Sequence, residues 1–180
     1  MLEHAVKRQE LLIRRLPAGA ASLLRLHEAH TGDTTDDLHQ HLAGTPPNTA
    51  RVDGPRAFAL GETEWLLIDY PRENLRRSLR LLGRALVQLT DVSRSRVSFV
   101  VAGPASRSVL GMDEDGIWTG AARSSGEYAR TRLGDVAVVA QCIGWDSFEL
   151  HTDRDPFEGL EHWIRHRYLT RLLPPHPGWQ

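Results

Sequence analysis

The stretch Tyr128-Ala129-Arg130-Thr131-Arg132-Leu133-Gly134-Asp135-Val136-Ala137-Val138-Val139-Ala140-Gln141-Cys142-Ile143-Gly144-Trp145-Asp146-Ser147-Phe148-Glu149-Leu150-His151 decides the fold class. Turn signals at Gly134-Asp135 and at Gly144 cut it into three runs, 128–133, 136–142 and 147–151, that predict an antiparallel meander. Upstream, Arg96-Val97-Ser98-Phe99-Val100-Val101 alternates and then becomes continuously apolar, the pattern of an inner strand. Gly103-Pro104 ends that strand and opens a short helix through Leu110. Further back, Arg56–Leu60 and Glu64–Ile68, split by Gly61-Glu62-Thr63, predict a hairpin. A helix is expected from about Pro71, with Leu75, Leu79, Leu82 and Leu86 on one face and Arg76, Arg77, Arg80 and Arg84 on or near the other. A last helix starts with Asp155 as N-cap, Pro156 in first position and Glu158 at capping-box spacing. Its apolar stripe is Phe157, Leu160, Trp163 and Ile164, and Pro174 stops it. The N-terminal third has the poorest patterning. Glu10–Leu16 and Ala21–Leu26 fit strand or helix, with Pro17 and Gly19 favouring two strands and a turn, and Thr34–Leu42 reads as a short helix. Helices interleaved with strands joined by tight turns make an α+β fold, with antiparallel or mixed sheets and packed helices.

Working outward to the whole chain, 180 residues set an expectation of one domain or slightly more. The organisation expected is an N-terminal segment, 1–45, belonging to the same domain, a core over 46–173 and a tail over 174–180. With 41% hydrophobic residues, 25% charged and a mean hydropathy of −0.37, the chain can bury a core without disulfide or metal staples. Lys and Arg total 22 against 23 Asp and Glu, a net charge of −1 that argues against a nucleic-acid module. The sequence contains no apolar run of 18 residues and no apolar core near Met1, so neither a membrane span nor a signal peptide is expected. A single cysteine, Cys142, cannot form an internal disulfide, which fits a cytoplasmic location.

Four groupings invite a chemical reading, and each has a plainer one. His27, His30, Asp33, His39 and His41 crowd one segment, yet no thiolate lies nearby and a polar loop entering a helix explains them better. His162 and His166 share a helix face, but Trp163, not glutamate, follows His162, so the metalloprotease arrangement is absent. Gly103-Pro104-Ala105-Ser106 places backbone donors at a helix start, but proline removes one donor and no lysine follows. Cys142 has no neighbouring His or Lys to activate it and reads as a core residue. Trp118, Trp179 and the basic, aromatic run from Arg165 to Trp179 suit an interaction surface. No nucleophile, base and electrophile come together in the sequence.

Several segments, in order, resemble the gamma subunit of heterotetrameric sarcosine oxidase, a relative of the folate-binding domain of glycine-cleavage aminomethyltransferases. Pro46-Pro47-Asn48-Thr49-Ala50 is similar to its proline-asparagine-threonine loop, and Leu60 to Ile68, centred on Trp65, to its tryptophan-containing strand. Asp91-Val92-Ser93, Arg96, Phe99 and Gly103-Pro104 resemble the most specific block. Tyr128 to Gly134, with Arg132 and Gly134, matches the segment that usually reads TRLG, and Phe148-Glu149-Leu150 with Phe157, Leu160 and Trp163 resembles the closing strand and helix. The likeness spans roughly 46–170. It departs at Gly111 to Trp118, where the family has a cysteine-proline-leucine-aspartate-leucine stretch, at Arg123 to Glu127, and over the first 45 residues. Asp113 or Asp115 stands near where a catalytic aminomethyltransferase carries its folate-contacting carboxylate.

The resemblance implies an auxiliary subunit that carries no cofactor, metal or catalytic group of its own. Its complex would oxidise sarcosine or a related N-methylamine and pass the one-carbon unit to tetrahydrofolate or release formaldehyde. Other subunits would supply the chemistry: alpha, with NAD and the tetrahydrofolate site, would be the main partner. Beta would hold FAD, FMN would lie between alpha and beta, and delta would bind zinc. The family-motif residues are Asn48, Trp65, Asp91, Ser93, Arg96, Gly103, Pro104, Arg132 and Gly134. Asp91 and Arg96 have two readings: a charge pair closing the entrance of the inner strand, or Asp91 and Ser93 satisfying local backbone groups. The rival functional reading is an independent folate-binding, aminomethyltransferase-like one-carbon enzyme, and a third is a histidine-rich metal-binding module.

Overall fold

Strand periodicity of two assigns every strand residue to one of two faces, and here the two faces of each sheet meet different layers. The computed structural model describes residues 11–27, 38, 40–42, 48–81, 86–112 and 124–172. In chain order the elements are β1 (Leu12–Arg15), β2 (Ala21–Leu26), β3 (Arg56–Ala59), β4 (Glu64–Ile68), α1 (Arg72–Leu81), β5 (Val87–Asp91), β6 (Arg96–Ala102), α2 (Ser106–Val109), β7 (Tyr128–Leu133), β8 (Val136–Gly144), β9 (Ser147–Asp153) and α3 (Phe157–Leu172). Leu38 and 40–42 are also helical. One sheet has the order β1-β6-β9-β8-β7 and the other β3-β4-β2-β5, antiparallel throughout. The fold is α+β.

Val97, Phe99 and Val101 of β6, Phe148 and Leu150 of β9, and Val138, Ala140 and Cys142 of β8 point to one side of the five-stranded sheet. They pack under Val109 of α2 and Phe157, Leu160 and Ile164 of α3. In the four-stranded sheet, Leu24, Leu26, Trp65 and Leu67 point outward to Leu75 of α1 and to Leu38 and Leu42. The remaining two faces meet each other, with Phe58, Leu66, Ile68 and Ala21 against Tyr128 and Val139. The layers therefore run helices, sheet, sheet, helix.

The hairpin (β3–β4), the inner strand (β6), the short helix after Gly103-Pro104 and the meander (β7–β8–β9) lie where the sequence predicts them. Three expectations change. The two N-terminal strands form, but not as a hairpin: β1 pairs with β6 in one sheet and β2 with β4 and β5 in the other. The helix expected to reach Leu86 is described over Arg72–Leu81, and Leu86 is not helical but 60% exposed just before β5. Strand β5 is not among the expected strands: among the described residues it is an edge strand paired with β2 alone, and its Leu89 faces solvent, so it carries little apolar alternation. Helix α3 starts at Phe157, one residue after Pro156. Leu82, Pro174 and most of the expected 34–42 helix lie outside the described residues.

Among the described strands the chain crosses between the sheets at 16–20 and at 92–95, and hydrogen bonds tie the second crossing to the start of β2, where the first one ends. Val92 N–H donates to the Ala21 carbonyl at 2.9 Å, and Ala21 N–H donates to Ser93 Oγ at 2.9 Å. Ser93 in turn donates to Asp91 Oδ1 from both its amide (2.9 Å) and its hydroxyl (2.7 Å).

Gly134, in the β7–β8 turn, has φ +59°, and a Cβ there would stand 3.2 Å from Trp163 Nε1. A side chain would meet both the left-handed backbone and the indole. Gly134→Ala is expected to cost about 1–2 kcal/mol in a urea titration; an unchanged midpoint would refute this account of the turn.

Candidate functional site

The inner face of the five-stranded sheet carries polar groups in cross-strand rows. Tyr128 faces Gln141, and Gln141 faces Glu149. One step along, Arg130 faces Val139, Val139 faces His151, and His151 faces Ser98. A step further, Arg132 faces Ala137 and Arg96 faces Asp153. Across the interlayer, Arg56 of β3 reaches Glu149, with Nη1 2.5 Å from Oε2. Both side chains are over nine-tenths buried, so this is a desolvated ion pair.

His151 is 1% exposed. Its Nδ1 hydrogen-bonds Ser98 Oγ at 2.8 Å and its ring lies 4.9 Å from that of Phe58. Burial, followed by the Arg56 and Arg96 guanidiniums, pushes its pKa down to about 3. The imidazole is therefore neutral at pH 7, and the 3.7 Å approach of its Nε2 to Glu149 Oε1 is not an ion pair. Ser98, His151 and Glu149 stand in an order reminiscent of a nucleophile–base–acid relay. The chemistry does not follow, because a general base works best with a pKa near the operating pH. Glu149, moreover, is already engaged by Arg56. Four buried atoms of this layer, Arg56 Nε, Glu149 Oε1, His151 Nε2 and Gln141 Oε1, have no hydrogen-bond partner among the described residues. Gln141 Nε2 donates to the carbonyls of Ala50 (2.9 Å) and Arg51 (3.1 Å), tying the loop before β3 to the sheet.

Beside this layer opens a cavity of about 720 Å³. Its walls include Arg96, Arg130, Arg132, His151 and Asp153 from the five-stranded sheet, and Leu60 and Glu64 from the β3–β4 hairpin.

The sequence-derived site residues scatter. Arg96 and Arg132 come together at the cavity. Arg96 pairs with Asp153 at 3.2 Å, while Asp91 is occupied by Ser93, which holds its carboxyl below the usual range. Of the two readings of Asp91 and Arg96, the local one describes the geometry. Trp65 is buried in the outer core, on the far side of its sheet. Asn48 takes φ +60°, and its carbonyl accepts from Tyr128 N–H at 3.0 Å. Gly103, at φ +113°, donates to the Asp146 carbonyl, and Ser106 N–H donates to Gly103. The Gly103 and Ser106 donors are thus spent internally, and exposed Pro104 supplies none. Cys142 lies on the helix-facing side of its sheet, where burial raises its pKa. The rings of His162 and His166 stack 6.5 Å apart on an exposed face of α3. Among the described residues no group of three or more His, Cys, Asp or Glu could hold a metal. His30, Asp33, His39, Asp113, Asp115, Trp118 and Trp179 lie outside the described residues.

Comparison of the whole architecture places it among solved structures. One chain of the heterotetrameric sarcosine oxidase from Corynebacterium sp. U-96, in complex with pyrrole 2-carboxylate, superposes with a TM-score of 0.68 at 20% identity. The match covers 92% of this chain and 87% of that one. The fold is that of a sarcosine oxidase subunit. The same fold extends to the glycine cleavage system aminomethyltransferase T from Bartonella henselae, at TM-score 0.54 and 11% identity. There the match covers 87% of this chain but 46% of the transferase. No protein-family model matches the sequence. No curated protein matches it either. No helix among the described residues is long and apolar enough to cross a membrane.

The polar interlayer is what sequence reading missed. Glu149 and His151, two apart on a strand otherwise apolar on its other face, are the signal that polar groups line one side of the sheet. Arg56, however, is a partner that only the packing of one sheet on the other reveals.

Proposed function

We propose that this chain is the gamma-type, auxiliary subunit of a flavin-dependent sarcosine oxidase-type complex, contributing assembly surface rather than a reactive group. The observation that carries the reading is the extent of the fold match, nearly end to end on both chains for the oxidase subunit and under half of the free transferase. The described residues support it chemically. Their one serine–histidine–carboxylate alignment is disabled by a histidine that stays neutral down to about pH 3 and a glutamate already paired with Arg56. Large alpha, flavin-bearing beta and small delta chains are the proposed partners. FAD, FMN, NAD, tetrahydrofolate and zinc reside on them, in a cytoplasmic assembly.

Trp145 supplies a candidate contact. It is 81% exposed at the β8–β9 turn, with the Arg107 guanidinium 5.1 Å from its ring centre. Exposed tryptophan beside arginine is the composition of interface hot spots.

Co-expression with the alpha, beta and delta chains from the same host tests the proposal. The expected result is co-elution of this chain with a flavin-containing complex, weakened at least tenfold in affinity by Trp145→Ala. Tight binding of tetrahydrofolate by the isolated chain in isothermal titration, with turnover of a one-carbon donor, would favour the independent aminomethyltransferase-like enzyme instead.

A further inference from the structure

The charges around the 720 Å³ cavity do not cancel. Arg96 is matched by Asp153 at 3.2 Å. Glu64 is matched from outside the cavity by Arg25, at 2.7 Å. Two guanidiniums remain. Among the described residues Arg132 bonds a neutral acceptor, the Asp135 carbonyl, and no carboxylate pairs with either Arg130 or Arg132.

Both belong to β7, an edge strand, and both project from its inner face. Residues two apart on a strand stand about 6.6 Å apart, so the two side chains share one stretch of cavity wall. Like charges at that spacing repel, and an anion between them relieves the repulsion. Guanidinium groups meet oxyanions through paired, parallel N–H donors, which gives geometry as well as attraction. The other walls suit the remainder of an organic molecule. Leu60, Ala137 and Val139 offer apolar contact, and neutral His151 presents a ring rather than a competing charge.

We infer that this cleft is a binding site for a small molecule bearing at least two oxyanion groups, held by Arg130 and Arg132. Carboxylates and phosphates share that chemistry. The inference is independent of the assembly role, since it concerns this chain alone, and the full 180-residue chain is the material for its test.

Succinate and pyrophosphate serve as probes in isothermal titration, at constant ionic strength set with sodium chloride. Saturable binding of either supports the site: succinate alone identifies a carboxylate ligand, and pyrophosphate alone a phosphate. Arg130→Gln/Arg132→Gln should weaken binding at least about tenfold. Ala137→Leu, which fills an exposed wall position opposite Arg132 and removes no charge, should weaken it as well. Both variants should keep the parent melting temperature in chloride, because none of the three side chains is buried. The inference is overturned if neither probe binds above the chloride background, or if the double variant binds as the parent does.

Discussion

Arg56→Met should destabilise the chain by about 3–5 kcal/mol, because it leaves the Glu149 carboxylate buried without its counter-charge. Both side chains are over nine-tenths buried, and their 2.5 Å contact joins strand β3 of one sheet to β9 of the other. For a domain of this size each kcal/mol moves the midpoint by about 2–4 °C, so a fall on the order of 10 °C is expected by calorimetry. The pair's own net contribution is a different quantity. Two desolvated charges lose much of their hydration, and replacing both with apolar groups of similar volume is commonly neutral or stabilising. Arg56→Met/Glu149→Leu is therefore expected to recover most of what the single variant loses. A single-variant loss below about 1 kcal/mol would show that water reaches Glu149 and that the interlayer is not dry.

Acid should weaken the fold through His151. Its imidazole titrates near 6.5 when unfolded and about 3 when folded. Between those values the unfolded chain holds the additional proton, so lowering the pH favours unfolding. The contribution is intact above about pH 6.5 and drains away as the pH falls towards 3. It amounts to roughly 2–3 kcal/mol between pH 7 and pH 4.5. Carboxylates add their own acid dependence, so the informative measurement is the difference between the parent and His151→Gln. Glutamine can keep a hydrogen bond to Ser98 but does not titrate, and its stability curve should be flatter by that amount. Parallel curves would mean that His151 is protonated in the folded chain at mildly acidic pH.

The parts of the fold legible in the sequence are those whose partners are close along the chain. The β3–β4 hairpin turns at 61–63 and the β7–β8 turn at Gly134-Asp135, and both leave glycine and alternation as local signals. Strands β1 and β2 are equally visible as strands, but nothing local assigns them to separate sheets, since their partners lie in β6 and in β4 and β5. Leu86 continues the leucine spacing of α1, so periodicity alone places it on the helix, whereas it stands exposed at the approach to β5. At the site, Arg96 and Arg132 belong to the family-like motifs and line the cavity. Arg130 lies in the same block as Arg132 and lines the cavity too, but nothing local to the sequence sets it apart from a solvated strand arginine. Arg56 is legible only once the two sheets are stacked, because its partner Glu149 lies far along the chain and on another layer.

Leu12 pairs with Ala102 and Arg15 with Phe99, so the first of the described strands completes the edge of a sheet whose other members follow β5. On a ribosome adding about 5–20 residues per second, β1 waits several seconds for its neighbour to be synthesised. Until then the four-stranded layer, whose strands are contiguous in the chain, is the portion able to assemble by itself. Birth order thus sets the order of maturation, and a nascent chain halted before β6 would present Ile13 and the bare inner side of that early layer to whatever chaperone is near.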